Sequence, residues 1–175
     1  VVRHTPPWLR PRSQRRQQEM TPHDEPPGLP LTATQQGMLF HHQLGTGSGV
    51  DIEQIVCELD EALDMPAFAA AWQACVQRHD ALRTRFVWAG LDEPQQEAVA
   101  AVEIVPEQQD WRDRPRDEQA ARWDALLQAE RRRGFDLGVA PLMRLVLVRL
   151  ADAAWRCLWT GHHIVCDGRS FPLVL

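Results

Sequence analysis

At 175 residues, with 44% hydrophobic side chains and seven tryptophans, the chain is long enough for one domain with a real core, and no stretch approaches a transmembrane span. The net charge is −5 and all 19 basic residues are arginine, with no focused basic face in the globular region, which argues against nucleic acid as a partner. Cys57, Cys75, Cys157 and Cys166 form no Cys-x-x-Cys pair and no signal peptide is recognisable, so reduced thiols in a cytoplasm are expected.

Residues 1–28 are rich in proline and arginine and poor in periodic apolar content. They read as a linker or disordered arm, and the basic cluster from Arg10 to Arg16 reads as a solvated tail. The globular part is expected over residues 29–175. Thr32 with Gln35 three residues on forms a capping box that opens a helix through about Leu44, with Leu39 and Phe40 inward and His41 and His42 near its exposed end. Gly45 to Gly49 breaks that helix and reads as a mobile loop; the lysine and following helix of a phosphate cradle are absent. Ile52 to Leu59 alternates as a strand. Asp64 caps the next helix with Pro66 in its first turn, and Phe68, Ala71, Trp72, Cys75, Val76 and His79 share a face that ends near Asp80.

Leu82 to Trp88 is expected as a strand, and Gly90 to Gln96 as the turn to a hairpin partner at Ala98–Val105. Pro106 to Arg116 is irregular and charged. Asp117 to Arg133 is an amphipathic helix with Ala120, Trp123, Leu126, Leu127 and Glu130 around its turns. Arg131 to Arg133 complement its C-terminus and Gly134 stops it. Leu142–Leu150 and Ala154–His162 are apolar runs parted by three residues, an antiparallel hairpin, and Arg169 to Leu175 opens a further helix. The class is α+β: an α/β sandwich of a mostly antiparallel or mixed sheet with flanking helices.

The second strand of the hairpin runs into Gly161-His162-His163-Ile164-Val165-Cys166-Asp167-Gly168. A neutral histidine takes a proton near pH 7, and a loop at a strand end is a place to hold one. Neighbours in a strand point to opposite faces, so His162 and His163 do not share one ion, and the helical spacing of a hydrolytic metal motif is missing. No metal site is expected.

His-His-x-x-x-Asp-Gly resembles the active-site motif of the condensation domains of nonribosomal peptide synthetases, within the chloramphenicol-acetyltransferase-like superfamily. Three more stretches are similar to that family's motifs and stand in its order: Leu31 to His41, Arg78-His79-Asp80-Ala81-Leu82-Arg83-Thr84-Arg85-Phe86, and Phe135-Asp136-Leu137-Gly138-Val139-Ala140-Pro141-Leu142-Met143-Arg144. The resemblance covers Leu29 to Leu175 and implies an N-terminal lobe of the chloramphenicol-acetyltransferase-like fold. It implies amide formation by attack of a carrier-bound aminoacyl amine on a carrier-bound acyl or peptidyl thioester. His163 would be catalytic, as a base or as a group that orients the amine and stabilises the intermediate. His162 would face the other way in a structural role. Asp167 would pair with Arg144, and a cap by Asp167 on the helix from Arg169 onward is compatible with either role. Gly168 would admit a tight turn near the pantetheine path, and Cys166 would have no nucleophilic role. Gly161 stands where methionine is common, and Arg169 where an apolar or aromatic residue is common.

The same resemblance implies no tightly bound cofactor, the substrates arriving on phosphopantetheine arms of donor and acceptor peptidyl carrier proteins. The other implied partners are the domain's C-terminal lobe and an adjacent adenylation domain, with neither nucleic acid nor membrane. Only first-lobe motifs are present, so little activity is expected from these residues alone. The alternatives are a stand-alone acyltransferase of the superfamily and a non-catalytic carrier-docking lobe.

Overall fold

The computed structural model describes residues 28–45 and 49–170, together with Val174. Residues 1–27 of the arm expected over 1–28, the centre of the glycine loop and most of the expected C-terminal helix lie outside the described residues. In chain order the elements are β1 (Leu29–Pro30), α1 (Ala33–Gln43), β2 (Ile52–Leu59), α2 (Met65–Arg78), a one-turn 3₁₀ helix (Asp80–Arg83), β3 (Thr84–Val87), β4 (Gln95–Ala98), β5 (Glu107–Asp110), α3 (Arg116–Arg133), β6 (Met143–Ala151) and β7 (Ala154–His162). They build two sheets, β1-β4-β3 and β2-β7-β6-β5.

Strand β7 is interior to the larger sheet, antiparallel to β2 on one side and to β6 on the other. Its alternation explains the layering. Trp155, Cys157 and Trp159 pack with Leu145 and Leu147 of β6 and with Val76 of α2. Leu158 packs on the opposite face with Val146, Val148 and Trp123 of α3. A helix therefore covers each face, which is why β6 and β7 read as nearly continuous apolar runs. A third cluster joins Leu31, Leu39, Phe86, Leu137, Leu142 and Ile164, tying α1 and the small sheet to the loop after β7.

The helix signals of the sequence hold. Thr32 and Gln35 form the reciprocal capping box, and Asp64 accepts the Ala67 N–H at 3.0 Å. Gly134 ends α3 at φ 58°, a left-handed conformation that favours glycine. Helix α3 begins one residue earlier than expected.

Two strand assignments are corrected. The partner of β3 is Gln95–Ala98 and not Ala98–Val105. Val99 N still donates to Arg83 O at 3.0 Å, but from Ala100 to Ile104 side chains take over: Gln73 Nε2 donates to Val102 O at 2.8 Å and Gln73 Oε1 accepts the Ile104 N–H at 2.9 Å. Gln77 reaches Ala100 O, and Arg83 reaches the carbonyls of Val99 and Ala100. Those side chains take the bonds a strand partner would take. Conversely, the stretch read as irregular contains β5, parallel to β6 with α3 as the crossover. It is a polar edge strand, so it lacks the alternation that marks a half-buried one. The expected Leu82–Trp88 strand also begins later, because Asp80–Arg83 coils before Thr84.

Candidate active site

The end of β7 is fastened on both sides before the chain turns. His162 N donates to Leu142 O at 3.0 Å, and His163 N donates to Asp51 O at 2.8 Å. Ile164, in the core beside Leu39 and Phe86, then pins the turn from below, and Cys166 sinks into the α2-side core. With both anchors following it, His163 stays half-buried at the start of the turn.

The two imidazoles are held in opposite tautomers. His163 Nδ1 lies 2.6 Å from Cys166 O. A carbonyl only accepts, so Nδ1 carries the proton and the neutral ring keeps its lone pair at Nε2. His162 Nδ1 instead accepts the Ile164 N–H at 3.1 Å, so its proton is on Nε2. His162 is 5% exposed and its ring meets Phe135 edge-on. Burial pushes its pKa down to about 4, the opposing pull of Asp51 being smaller, with His42 and His163 adding to the depression. A ring held neutral through the physiological range is a structural part of the strand end.

That depression makes stability pH-dependent. The folded-state pKa lies below the unfolded value of about 6.5, so between those values the unfolded chain binds the extra proton and stability falls as pH falls. The loss at His162 is on the order of 3 kcal/mol between pH 6.5 and 4. His162→Asn offers Oδ1 near the place of Nδ1 and cannot titrate. Its unfolding free energy should vary less over that range than the parent's, and equal slopes would contradict the assignment.

Gly161 is glycine because of its neighbour two residues back on the same face. A Cβ there would fall within the indole of Trp159, which is 2% exposed. The space that a methionine side chain would use is filled by that ring. Gly161→Ala should lower thermal stability by about 1–3 kcal/mol through overpacking, whereas a calorimetric scan matching the parent would show that the indole yields freely.

The expected Asp167–Arg144 pair does not form. Arg144 Nε donates to Glu130 Oε2 at 2.7 Å, its other nitrogens reach Gly134 O at 2.7 Å and Glu130 O at 3.1 Å, and its guanidinium lies 4.1 Å from the Phe135 ring centre. Every face of the group is committed to the end of α3. Asp167 is exposed and accepts from Arg169 N, Ser170 N and Ser170 Oγ at 3.1, 3.0 and 2.7 Å, which holds its carboxyl below the usual range. It begins its own turn, as the capping alternative has it. Gly168 has no positive φ, and a Cβ there would meet nothing within 4 Å, so the turn itself does not call for glycine.

Two contributors are not evident from sequence pattern. Glu130 falls on α3 with no partner indicated, although a carboxylate on a face with Trp123 and Leu127 signals one. Gln35 reads as a cap only, yet its Nε2 reaches Ile164 O at 3.1 Å. Two cavities of about 560 Å³ flank the sheet end; His162 lines one and His163 neither. No group of three His, Cys, Asp or Glu side chains able to hold a metal occurs among the described residues, and no described helix is long and apolar enough to cross a membrane.

The family model for the condensation domain matches residues 28–175. A linear gramicidin synthase of Brevibacillus parabrevis is 42% identical over 146 residues, 83% of this chain and 2% of that protein. Chondramide synthase cmdD of Chondromyces crocatus is 38% identical over 133 residues, 74% of this chain and 3% of that protein. Among solved structures, the starter condensation domain of rhizomide synthetase RzmA superposes with a TM-score of 0.76 at 24% identity, over 85% of this chain and 37% of that one. A mutant of that domain in complex with C8-CoA and Leu-SNAC gives 0.74 at 24% identity, over 84% and 33%. The fold is thus that of condensation-domain structures, and the chain spans a small fraction of the synthases and about a third of the solved domain.

Proposed function

This chain belongs to the condensation-domain family, and we propose that residues 29–175 are the N-terminal lobe of such a domain in a nonribosomal peptide synthetase, with residues 1–28 a linker arm ahead of it. The lobe supplies His163 to an amide-forming reaction between two carrier-bound substrates in the cytoplasm. The observation that carries this reading is the bond from His163 Nδ1 to Cys166 O. It leaves Nε2 as an acceptor with no hydrogen-bond partner among the described residues.

A thioester is already activated, so the reaction needs no protein nucleophile; it needs two arms brought together and an amine that can shed a proton. The amine nitrogen attacks the thioester carbonyl and Nε2 accepts its proton. The tetrahedral intermediate then collapses, the C–S bond breaks, and the imidazolium can return the proton to the departing thiolate. Amide and free phosphopantetheine thiol result. An Nε2 lone pair suits proton acceptance; donation to an oxyanion requires the ring to be protonated first. Cys166, whose thiol is pushed up to about 11 by burial, is the protonated sulfhydryl of a core residue, unsuited to attack.

His163 is half-buried at the start of its turn and lines neither of the two cavities of about 560 Å³. We place the other wall in the C-terminal lobe, with donor and acceptor peptidyl carrier proteins and a neighbouring adenylation domain as partners and no tightly bound cofactor. The similar synthases favour this over a stand-alone acyltransferase. The test is amide formation from loaded donor and acceptor carriers, comparing this chain with its coding sequence continued by ~250–300 residues, a typical domain's remainder. Turnover in the extended protein alone is expected; none in either would overturn the peptide-forming assignment.

A further inference from the structure

The capping box of α1 uses an amide where capping alone would accept a carboxylate. In such a box the third helical residue accepts the backbone N–H of the N-cap, and glutamate serves as well as glutamine. Gln35 Oε1 does this for Thr32 N at 2.9 Å, while Gln35 N donates to Thr32 Oγ1 at 3.2 Å. Its Nε2 does something separate. It donates to Ile164 O at 3.1 Å and to Gln96 Oε1 at 3.0 Å, and Gln96 Nε2 donates onward to Pro30 O at 3.2 Å. One amide thereby joins the His163 turn to α1 and to the small sheet.

Burial of the Ile164 side chain against Leu39 fixes where the turn lies, but apolar contact is non-directional and leaves peptide planes to rotate. A donor aimed at the Ile164 carbonyl fixes the peptide plane between Ile164 and Val165, inside the turn that follows His163. Two residues on is the Cys166 carbonyl that holds Nδ1. We propose that Gln35 is a positioning residue for His163: by holding the Ile164 carbonyl it orients the 163–166 turn so that Cys166 O meets Nδ1 and Nε2 remains the acceptor. This rests on the reading of His163 as the proton acceptor.

Three variants in the extended protein separate this role from capping. Gln35→Glu keeps an acceptor for Thr32 N and loses the donor to Ile164 O. Gln35→Met removes the donor together with the acceptor for Thr32 N, without adding charge, and stands in for the glutamate variant, read beside the cap-deficient Thr32→Ala, should that variant not fold. Thr32→Ala removes the cap hydroxyl and leaves both Nε2 bonds. The readouts are the imidazole nitrogen shifts of ¹⁵N-histidine, with His163 assigned by its loss in His163→Ala, and condensation kinetics. Parent and Thr32→Ala should show the Nδ1–H tautomer. The Gln35 variants should show averaged tautomers and a kcat about tenfold lower with KM little changed, as for a misplaced catalytic group. Parent-like spectra and kcat in the Gln35 variants would overturn the proposal, as would the same changes in Thr32→Ala. If the extended parent makes no amide, the functional reading fails while the spectra still decide the role of Gln35.

Discussion

His163→Ala in the extended protein is expected to lower kcat for amide formation by about 10²–10⁴-fold, the usual contribution of a positioned acid–base group. The folded state should be little affected, since the ring is half-buried and makes one bond, to Cys166 O. The adjacent His162→Asn should do the reverse: it changes the pH dependence of stability through a ring that is buried and neutral, and leaves the His163 ring in place. Single-turnover rates with loaded carriers, set beside denaturant melts of the same variants, measure both. If His162→Asn and His163→Ala lose equal activity without loss of stability, the division of labour drawn from the two tautomers is wrong.

Arg144→Ala should cost about 3–5 kcal/mol, the range for stripping one partner from a buried ion pair. Glu130 is 6% exposed and would be left with only the exposed Arg133, 3.4 Å away, as its ion-pair partner. The carbonyls of Glu130 and Gly134 at the end of α3 would lose their donors as well. Asp167→Ala, by contrast, removes the exposed cap of a single turn and should melt close to the parent. Urea unfolding of the two variants side by side is the measurement. Equal losses would mean that the motif aspartate and Arg144 are coupled after all, and that the pairing with Glu130 is secondary.

Much of this is legible in the sequence because it is local. Thr32, Asp64 and Gly134 bound their helices through caps and a stop that depend on a few neighbouring residues. The apolar runs of β6 and β7 announce a sheet covered on both faces. What sequence pattern misses depends on distant chain. The extended segment from Ala100 has strand-like composition, but its backbone partners are the side chains of Gln73, Gln77 and Arg83, which no periodicity reveals. Strand β5 is polar, and pairs only because α3 returns the chain to its side. At the site, position in the motif picks out His163 and His162, and strand alternation implies their opposite faces. The partner of Arg144 escapes because two carboxylates, Asp167 and Glu130, are open to it and only packing of α3 chooses.

The interior place of β7 also bears on when the lobe becomes a folded object during synthesis. Strand β2 is made early, yet its neighbour in the sheet is β7, and Ile52 waits for His162. Strand β6 cannot substitute, because β7 stands between it and β2. Until the histidine motif has left the ribosome, β2 and the apolar face of α2 have no permanent cover. Contacts so far apart in sequence slow folding and leave edges open to other chains. The histidine end of β7 is therefore also the last part required to close the sheet, so a chain that stalls before it is expected to aggregate and not to fold.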